Sequence, residues 1–271
     1  MRKPHATIVP TNAAPISLIT GASRGIGFAI ARALGGTGHR VVLVARDAAR
    51  LDQAAHLLRS EGIQASACAV NLREPNAAEL VLASARKAFG EPTVLINNAG
   101  TAPSAKAEST SDAMLDETLD LHVRAPLRLI RAVLPGMKQL RSGTIIQLAS
   151  TAGLRGFPFT LAYTAAKHAM VGLSRALHLE VGNRGIRVFA VCPGFVDTDI
   201  TREAAAQVAA RGKTTADAVF AAMAAQNRIG RMHQPFEVGA AIVQLLKTQP
   251  SGCVYELDRN PPAFVDEEQS P

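Results

Sequence analysis

Short, largely apolar runs alternate with longer stretches of helical spacing, and this alternation constrains the fold more than any other feature. The runs cover residues 16–20, 41–45, 65–70, 94–97, 144–149, 188–192 and 253–257. They lack polar alternation, so both faces must be covered, as in parallel strands flanked by helices. Between them lie segments 25–34, 48–61, 76–89, 111–140, 161–183 and 236–247, long enough to cross from one strand to the next. The pattern predicts a single-domain α/β protein: a doubly wound, mainly parallel seven-stranded sheet with helices on both faces. Residues 1–14 show no hydrophobic periodicity and are expected to form a flexible tail, residues 15–258 the folded domain, and residues 259–271 a frayed C-terminal tail. Segment 198–230 is Ala-rich and longer than an ordinary connection, and is expected to be a helical lid.

Composition then narrows the function classes. Hydrophobic residues make up 48% of the chain, enough to bury such a core. No stretch reaches the roughly 18 apolar residues of a membrane span, and the start lacks the apolar block of a signal peptide. Cys68, Cys192 and Cys253 show no CxxC spacing, so neither a disulfide framework nor a metal site is expected. A cytoplasmic protein without a membrane partner follows. The net charge of +7 suits an anionic partner: nucleic acid, a phosphorylated cofactor or an acidic carrier. With no Trp and two Tyr, stacking on single strands is poorly served, and no nucleic-acid partner is expected.

Directly after the first run comes Thr20-Gly21-Ala22-Ser23-Arg24-Gly25-Ile26-Gly27, opening a helix. A dinucleotide site needs a sharp turn at Gly21, close backbone approach near Gly25 and tight helix packing at Gly27, with the helix amides facing the pyrophosphate. Glycines alone also fit an ordinary turn; their place at the first crossover favours the dinucleotide. At the end of the second run, Arg46 stands where an NAD site places a carboxylate. With Arg24 it would hold a 2′-phosphate, which points to NADP(H), although solvated loop arginines are common on a basic chain.

Tyr163 and Lys167 are spaced i, i+4, so they share one helical face, and an ammonium beside a phenol is expected to lower its pKa. A half-buried Tyr with a solvated Lys is the commoner occurrence of this spacing. Ser150, at the C-terminal end of the fifth run where open sheets bind ligands, strengthens the reading, although a lone Ser there is often only a helix cap.

Taken in order, TGASRGIG at 20–27, NNAG at 97–100, Ser150, Tyr163 with Lys167, and PGFVDT at 193–198 resemble the classical short-chain dehydrogenase/reductase family, from Ile16 to about Asp258. The resemblance implies a Rossmann fold and interconversion of a ketone or aldehyde with an alcohol. It makes Tyr163 the acid/base, Ser150 the group that holds the substrate carbonyl, and Lys167 the residue that tunes Tyr163 and binds the nicotinamide ribose. It assigns cofactor contacts to Thr20, Gly21, Ser23, Arg24, Gly25, Ile26, Gly27, Arg46, Asn71, Leu72, Asn98, Ala99, Gly100, Tyr163, Lys167, Pro193, Gly194, Val196 and Thr198, with Asn97 also on the adenosine side. His122 stands where the family most often has an Asn supporting a water chain behind the lysine, and is expected to function in its place; a merely packed His is the competing view. Asn71 replaces a frequent Asp, and Phe189 a frequent Asn.

The substrate side says less. Phe157, Pro158, Phe159, Phe195, Val219, Phe220 and Met223 suggest an apolar pocket, or simply packing. Arg124, Arg128, Arg131 and Arg184 would attract an acidic acyl carrier, or form a solvated basic face. A 3-oxoacyl thioester, free or carrier-bound, is the leading substrate, with a hydroxysteroid or other secondary alcohol next. A catalytically silent NADP-binding regulator is the reading from a different class. By resemblance, segments 111–140 and 161–183 pair copies into a homodimer or homotetramer.

Overall fold

The computed structural model describes residues 14–212 and 214–265. Of the tails predicted from sequence at 1–14 and 259–271, residues 1–13 and 266–271 lie outside the described residues. Strands β1 (Ile16–Thr20), β2 (Arg40–Ala45), β3 (Ala65–Ala69), β4 (Val94–Asn97), β5 (Gly143–Leu148), β6 (Ile186–Cys192) and β7 (Val254–Glu256) are all parallel. An antiparallel β8 (Ala263–Phe264) closes one edge, so the sheet has eight strands in the order β3-β2-β1-β4-β5-β6-β7-β8. That corrects two expectations, the strand count and the frayed tail after Asp258. Phe264 explains both: its ring packs on Phe189 at 6.3 Å and on Tyr255 at 5.1 Å, which anchors the returning chain. The unusual Phe189 therefore packs the sheet edge.

Successive strand residues feed opposite cores, as the pleat requires. Ile19, Ile96 and Ile146 face one layer, formed by α1 (Gly25–Gly36), α2 (Ala48–Ser60) and α9 (Pro235–Thr248). Leu18, Leu95 and Ile145 face the other, formed by α3 (Ala77–Ala88), α5 (Ala125–Leu140) and α6 (Leu161–Val181). Helices α1 and α9 approach closely at Gly239, where a Cβ would stand 3.0 Å from the Ala29 carbonyl oxygen. The order of strands reverses between β1 and β4, which opens a crevice at their C-terminal ends.

Segment 111–140 is not one helix. It comprises α4 (Asp112–Leu119), a π-helical turn (Asp120–Arg124) and α5, the turn widening the helix at His122. The Ala-rich segment is helical, as expected, and forms α7 (Asp199–Arg211) and α8 (Ala216–Gln226). No helix among the described residues is long and apolar enough to cross a membrane.

Candidate active site

The glycine loop between β1 and α1 is braced from behind. Thr20 is buried, and its Oγ1 accepts the backbone N–H groups of Asn98 at 2.9 Å and Ala99 at 3.0 Å. The Asn98 side-chain amide donates in return to the carbonyls of Thr20 at 2.8 Å and Gly21 at 3.2 Å. Gly21 turns with φ +64°, and a Cβ on Gly27 would collide with the Gly21 carbonyl and the Asn98 amide. Arg24 gives α1 no side-chain cap, and its first turn, with Gly25, Ile26 and Gly27, holds no acidic residue. Those leading amides are open to an anion beside Ser23, which fits a dinucleotide pyrophosphate.

At the ribose end, Arg46 is exposed just beyond β2 and no carboxylate replaces it, which fits a 2′-phosphate. Arg24 has a partner the sequence did not suggest: its guanidinium lies 2.7 Å from Asp199 and 3.5 Å from Glu203, on the first turns of α7. Asn71 accepts the Arg73 N–H at 3.3 Å and donates to Glu74 at 3.1 Å, while Leu72 is buried in the core. Asn97 does not line the adenosine side. It is buried in β4 beside its register partner Gln147, because strand alternation turns Asn97 inward and leaves Asn98 to reach the loop. Neither buried amide has a hydrogen-bond partner among the described residues.

Across the crevice, Ser150 caps a short turn (Thr151–Gly153), its Oγ accepting the Ala152 N–H at 3.1 Å. That bond uses a lone pair, so the hydroxyl proton can be given to another oxygen. Tyr163 and Lys167 lie one turn apart at the start of α6. Lys167 is buried, its Nζ donating to the Leu148 carbonyl at 2.8 Å and lying 5.5 Å from the Tyr163 ring centroid. Burial pulls the lysine down to about 7. Burial also pushes the Tyr163 phenol up, against the opposing pull of a hydrogen bond with Ser150. The downward shift expected from the sequence is therefore reversed: the ammonium is anchored on a carbonyl over the ring, and desolvation prevails.

The π turn carries the buried His122 edge-on to Tyr163, with ring centroids 5.7 Å apart. Its Nε2 meets the Thr101 backbone, either accepting the N–H (3.1 Å) or donating to the carbonyl (2.9 Å). The Nδ1 atom has no partner among the described residues. Gly100 leaves the ring its space, since a Cβ there would collide with it. Burial, and then the charge of Lys167, pulls the imidazole down to about 3, so His122 is neutral near pH 7.

The segment after β6 completes the crevice. Pro193 and Val196 are buried, Gly194 is half-buried, and Thr198 caps α7 by accepting the Thr201 N–H at 3.3 Å. Behind it stand Asn227, His233 and Asp258, which sequence reasoning did not single out. Asn227 and His233 come from the connection between α8 and α9, with no motif spacing, while Asp258 arrives from the far end of the chain through the pairing of β6 with β7. A hollow of about 460 Å³ opens beside the start of α6, lined by Ala105, Phe157, Phe159, Leu161, Thr164 and His168 among others. Of the apolar residues expected at a pocket, Phe157 and Phe159 line it. Phe195 packs edge-on to Phe157 at 6.0 Å, and Phe220 lies under the Arg202 guanidinium at 4.6 Å.

The short chain dehydrogenase family model matches residues 15–209. The chain is 33% identical over 236 residues to the 3-oxoacyl-[acyl-carrier-protein] reductase FabG of Salmonella typhimurium, covering 87% of this chain and 91% of that protein. It is 35% identical over 229 residues to a chain assigned as the ketoacyl reductase of the monensin polyketide synthase in Streptomyces virginiae, covering 84% and 88%. Among solved structures, an actinorhodin polyketide ketoreductase variant with NADPH superposes with a TM-score of 0.84 at 31% identity, covering 88% of this chain and 92% of that one. L-sorbose reductase from Gluconobacter frateurii, complexed with NADPH and L-sorbose, gives 0.84 at 30% identity, covering 90% and 95%. With its glycine loop, reversed strand order and Ser150, Tyr163 and Lys167 on one crevice, the chain belongs to the short-chain dehydrogenase family.

Proposed function

We propose that the chain reduces a 3-oxoacyl thioester to its 3-hydroxy form, as an NADP(H)-dependent oxidoreductase interconverting a carbonyl and an alcohol. The observation that carries the reading is the convergence of Ser150, Tyr163 and Lys167 on the crevice opposite an uncapped glycine-loop helix. The open amides of α1 would hold the pyrophosphate and Arg46 the 2′-phosphate. When bound, NADPH supplies the hydride for the carbonyl carbon. Ser150 would donate a hydrogen bond to the carbonyl oxygen, keeping its proton, and so orient that oxygen and stabilise charge developing there. Tyr163, kept protonated by burial, gives its proton to the same oxygen. Lys167, drawn down to about 7 by burial, exchanges protons readily near neutrality, and its Nζ lies 5.5 Å from the Tyr163 ring centroid. The thioester class rests on the ketoacyl reductases among the relatives and on the largely apolar hollow beside the start of α6, which suits an acyl chain. Exposed Leu127, Leu140 and Leu179 on α5 and α6 support assembly through these helices as a homodimer or homotetramer.

The test follows NADPH absorbance with 3-oxoacyl thioesters, ketosteroids and simple ketones. Thioesters should turn over fastest. Tyr163→Phe should lose at least about a hundredfold in turnover while still binding NADPH, since general acid groups contribute about that much. A loss under about tenfold would remove Tyr163 from the role, and NADPH binding without any turnover would support a regulator.

A further inference from the structure

Asp258 follows β7 and is fully buried. Both its oxygens accept the Arg228 N–H at 3.1 Å, just past the end of α8. His233 Nε2 lies 3.1 Å from Oδ1, and His233 is itself 3% exposed. The Arg155 guanidinium stands 3.9 Å from Oδ2 and covers the Phe157 ring at 5.2 Å, in the loop between Ser150 and Tyr163. One buried carboxylate thus joins the turn after α8, the segment before α9 and the loop between Ser150 and Tyr163.

The same cluster holds the 193–198 segment. Asn227 grips Phe195 from both sides, its Oδ1 accepting the Phe195 N–H at 2.7 Å and its Nδ2 donating to the Phe195 carbonyl at 2.9 Å. A second Nδ2 bond reaches the Arg231 carbonyl at 2.7 Å. Gly194 lies directly on this support: a Cβ there would run into the Asn227 amide and approach the Asp258 carboxyl carbon to 2.8 Å. The His233 N–H donates to the Phe195 carbonyl at 2.9 Å, and the Asp197 N–H to the His233 carbonyl at 2.8 Å. A buried carboxylate is expensive unless its bonds are met, so a site that keeps one fixes the segments it joins in one arrangement.

We infer that Asp258 and Asn227 are positioning residues that set the 193–198 segment against Ser150 and Tyr163, and so fix the distance over which the carbonyl is reduced. The inference rests on the carbonyl-reductase reading of this crevice. Neither residue touches the reacting atoms; both act through Phe195, Gly194 and Arg155. A misplacement of about 1 Å at such a site costs about a hundredfold in rate, so modest loosening of this support is visible in turnover.

Asp258→Asn keeps the shape and removes the charge facing Arg155 and His233. Hydrogen exchange on the free protein should show amides of 193–198 exchanging at least about tenfold faster, with α1 and α2 unchanged. Turnover should fall about tenfold or more, and the isotope effect with deuterated NADPH should rise, while the NADPH dissociation constant measured by fluorescence changes less than about threefold. Asn227→Asp, which keeps the acceptor for the Phe195 N–H but loses both donors, should behave alike and serves if the first variant fails to fold. A variant with a lower melting temperature but parental exchange at 193–198, turnover and isotope effect would make the cluster merely structural and overturn the inference. If the parent itself reduces no carbonyl, the reading of the site fails instead, and the exchange measurement still decides whether Asp258 holds the loop.

Discussion

The glycine-loop half and the α7–α8 segment are held by different means. Around α1, contacts are between backbone groups, a buried hydroxyl and one side-chain amide, and Ile30, Ala31 and Leu34 are shut into the core. By contrast, α8 buries none of its residues, and α7 is tied down by exposed ion pairs such as Arg202–Asp197 at 2.8 Å and Arg24–Asp199 at 2.7 Å. Buried close approaches fix the residue type, whereas exposed ion pairs contribute little and tolerate replacement. The half that would serve any dinucleotide is therefore rigidly specified, and the half that would meet the substrate is free to vary.

The largest effect should come from Gly27→Ala. The added methyl group runs into the Gly21 carbonyl and the Asn98 amide, so a loss of about 2 kcal/mol or more in stability is expected, with NADPH binding weakened at least about tenfold. Unchanged urea unfolding and NADPH titration would break the contrast at its rigid end.

An intermediate effect is expected at His122, with a definite sign. Its folded-state value of about 3 lies below the ordinary 6.5, so the stability from burying it neutral is complete above pH 6.5 and is lost as pH falls toward 3. Between about pH 7 and pH 5 this amounts to about 2 kcal/mol, at about 1.4 kcal/mol per pH unit below 6.5. Burial lowers His39 as well, in the same direction, so the measurement is a difference. His122→Asn should have a visibly flatter dependence of unfolding free energy on pH than the parent, and equal slopes would reject the shift.

The smallest effect belongs to the α7–α8 segment. Arg202→Ala removes the bidentate pair with Asp197 and the cover over Phe220, yet the global unfolding midpoint should stay within error. Amides of α7 and α8 should exchange faster in the variant. A clear drop in global stability would mean that α7 and α8 belong to the same cooperative unit as α1 and would erase the contrast.

Legibility from sequence follows the same division. The glycine loop, the parallel strands and the Tyr163–Lys167 spacing could be read because local backbone geometry and periodicity dictate those residue types. The π turn could not, since the DLHVR stretch fits an ordinary helix and the widening depends on what His122 meets at Thr101 and Gly100. Strand β8 was hidden by its length and by Pro261 and Pro262 just before it; its anchor, Phe264, meets partners 75 residues upstream at Phe189. Asn97 was placed on the wrong side because one position of strand alternation separates it from Asn98. The rise in the Tyr163 pKa comes from three-dimensional burial, which the i, i+4 spacing does not contain.

The contact of α1 with α9 bears on how the protein is made. Leaving the ribosome, the glycine-loop helix emerges about 200 residues ahead of the helix that covers its outer face, at Ala29 against Gly239. Throughout that interval the glycine-loop helix has one flank open, and β1 must wait for β4 to fill its second side. The close seating of α1 on α9 is then a late event of synthesis, possible only once the chain has been translated as far as α9.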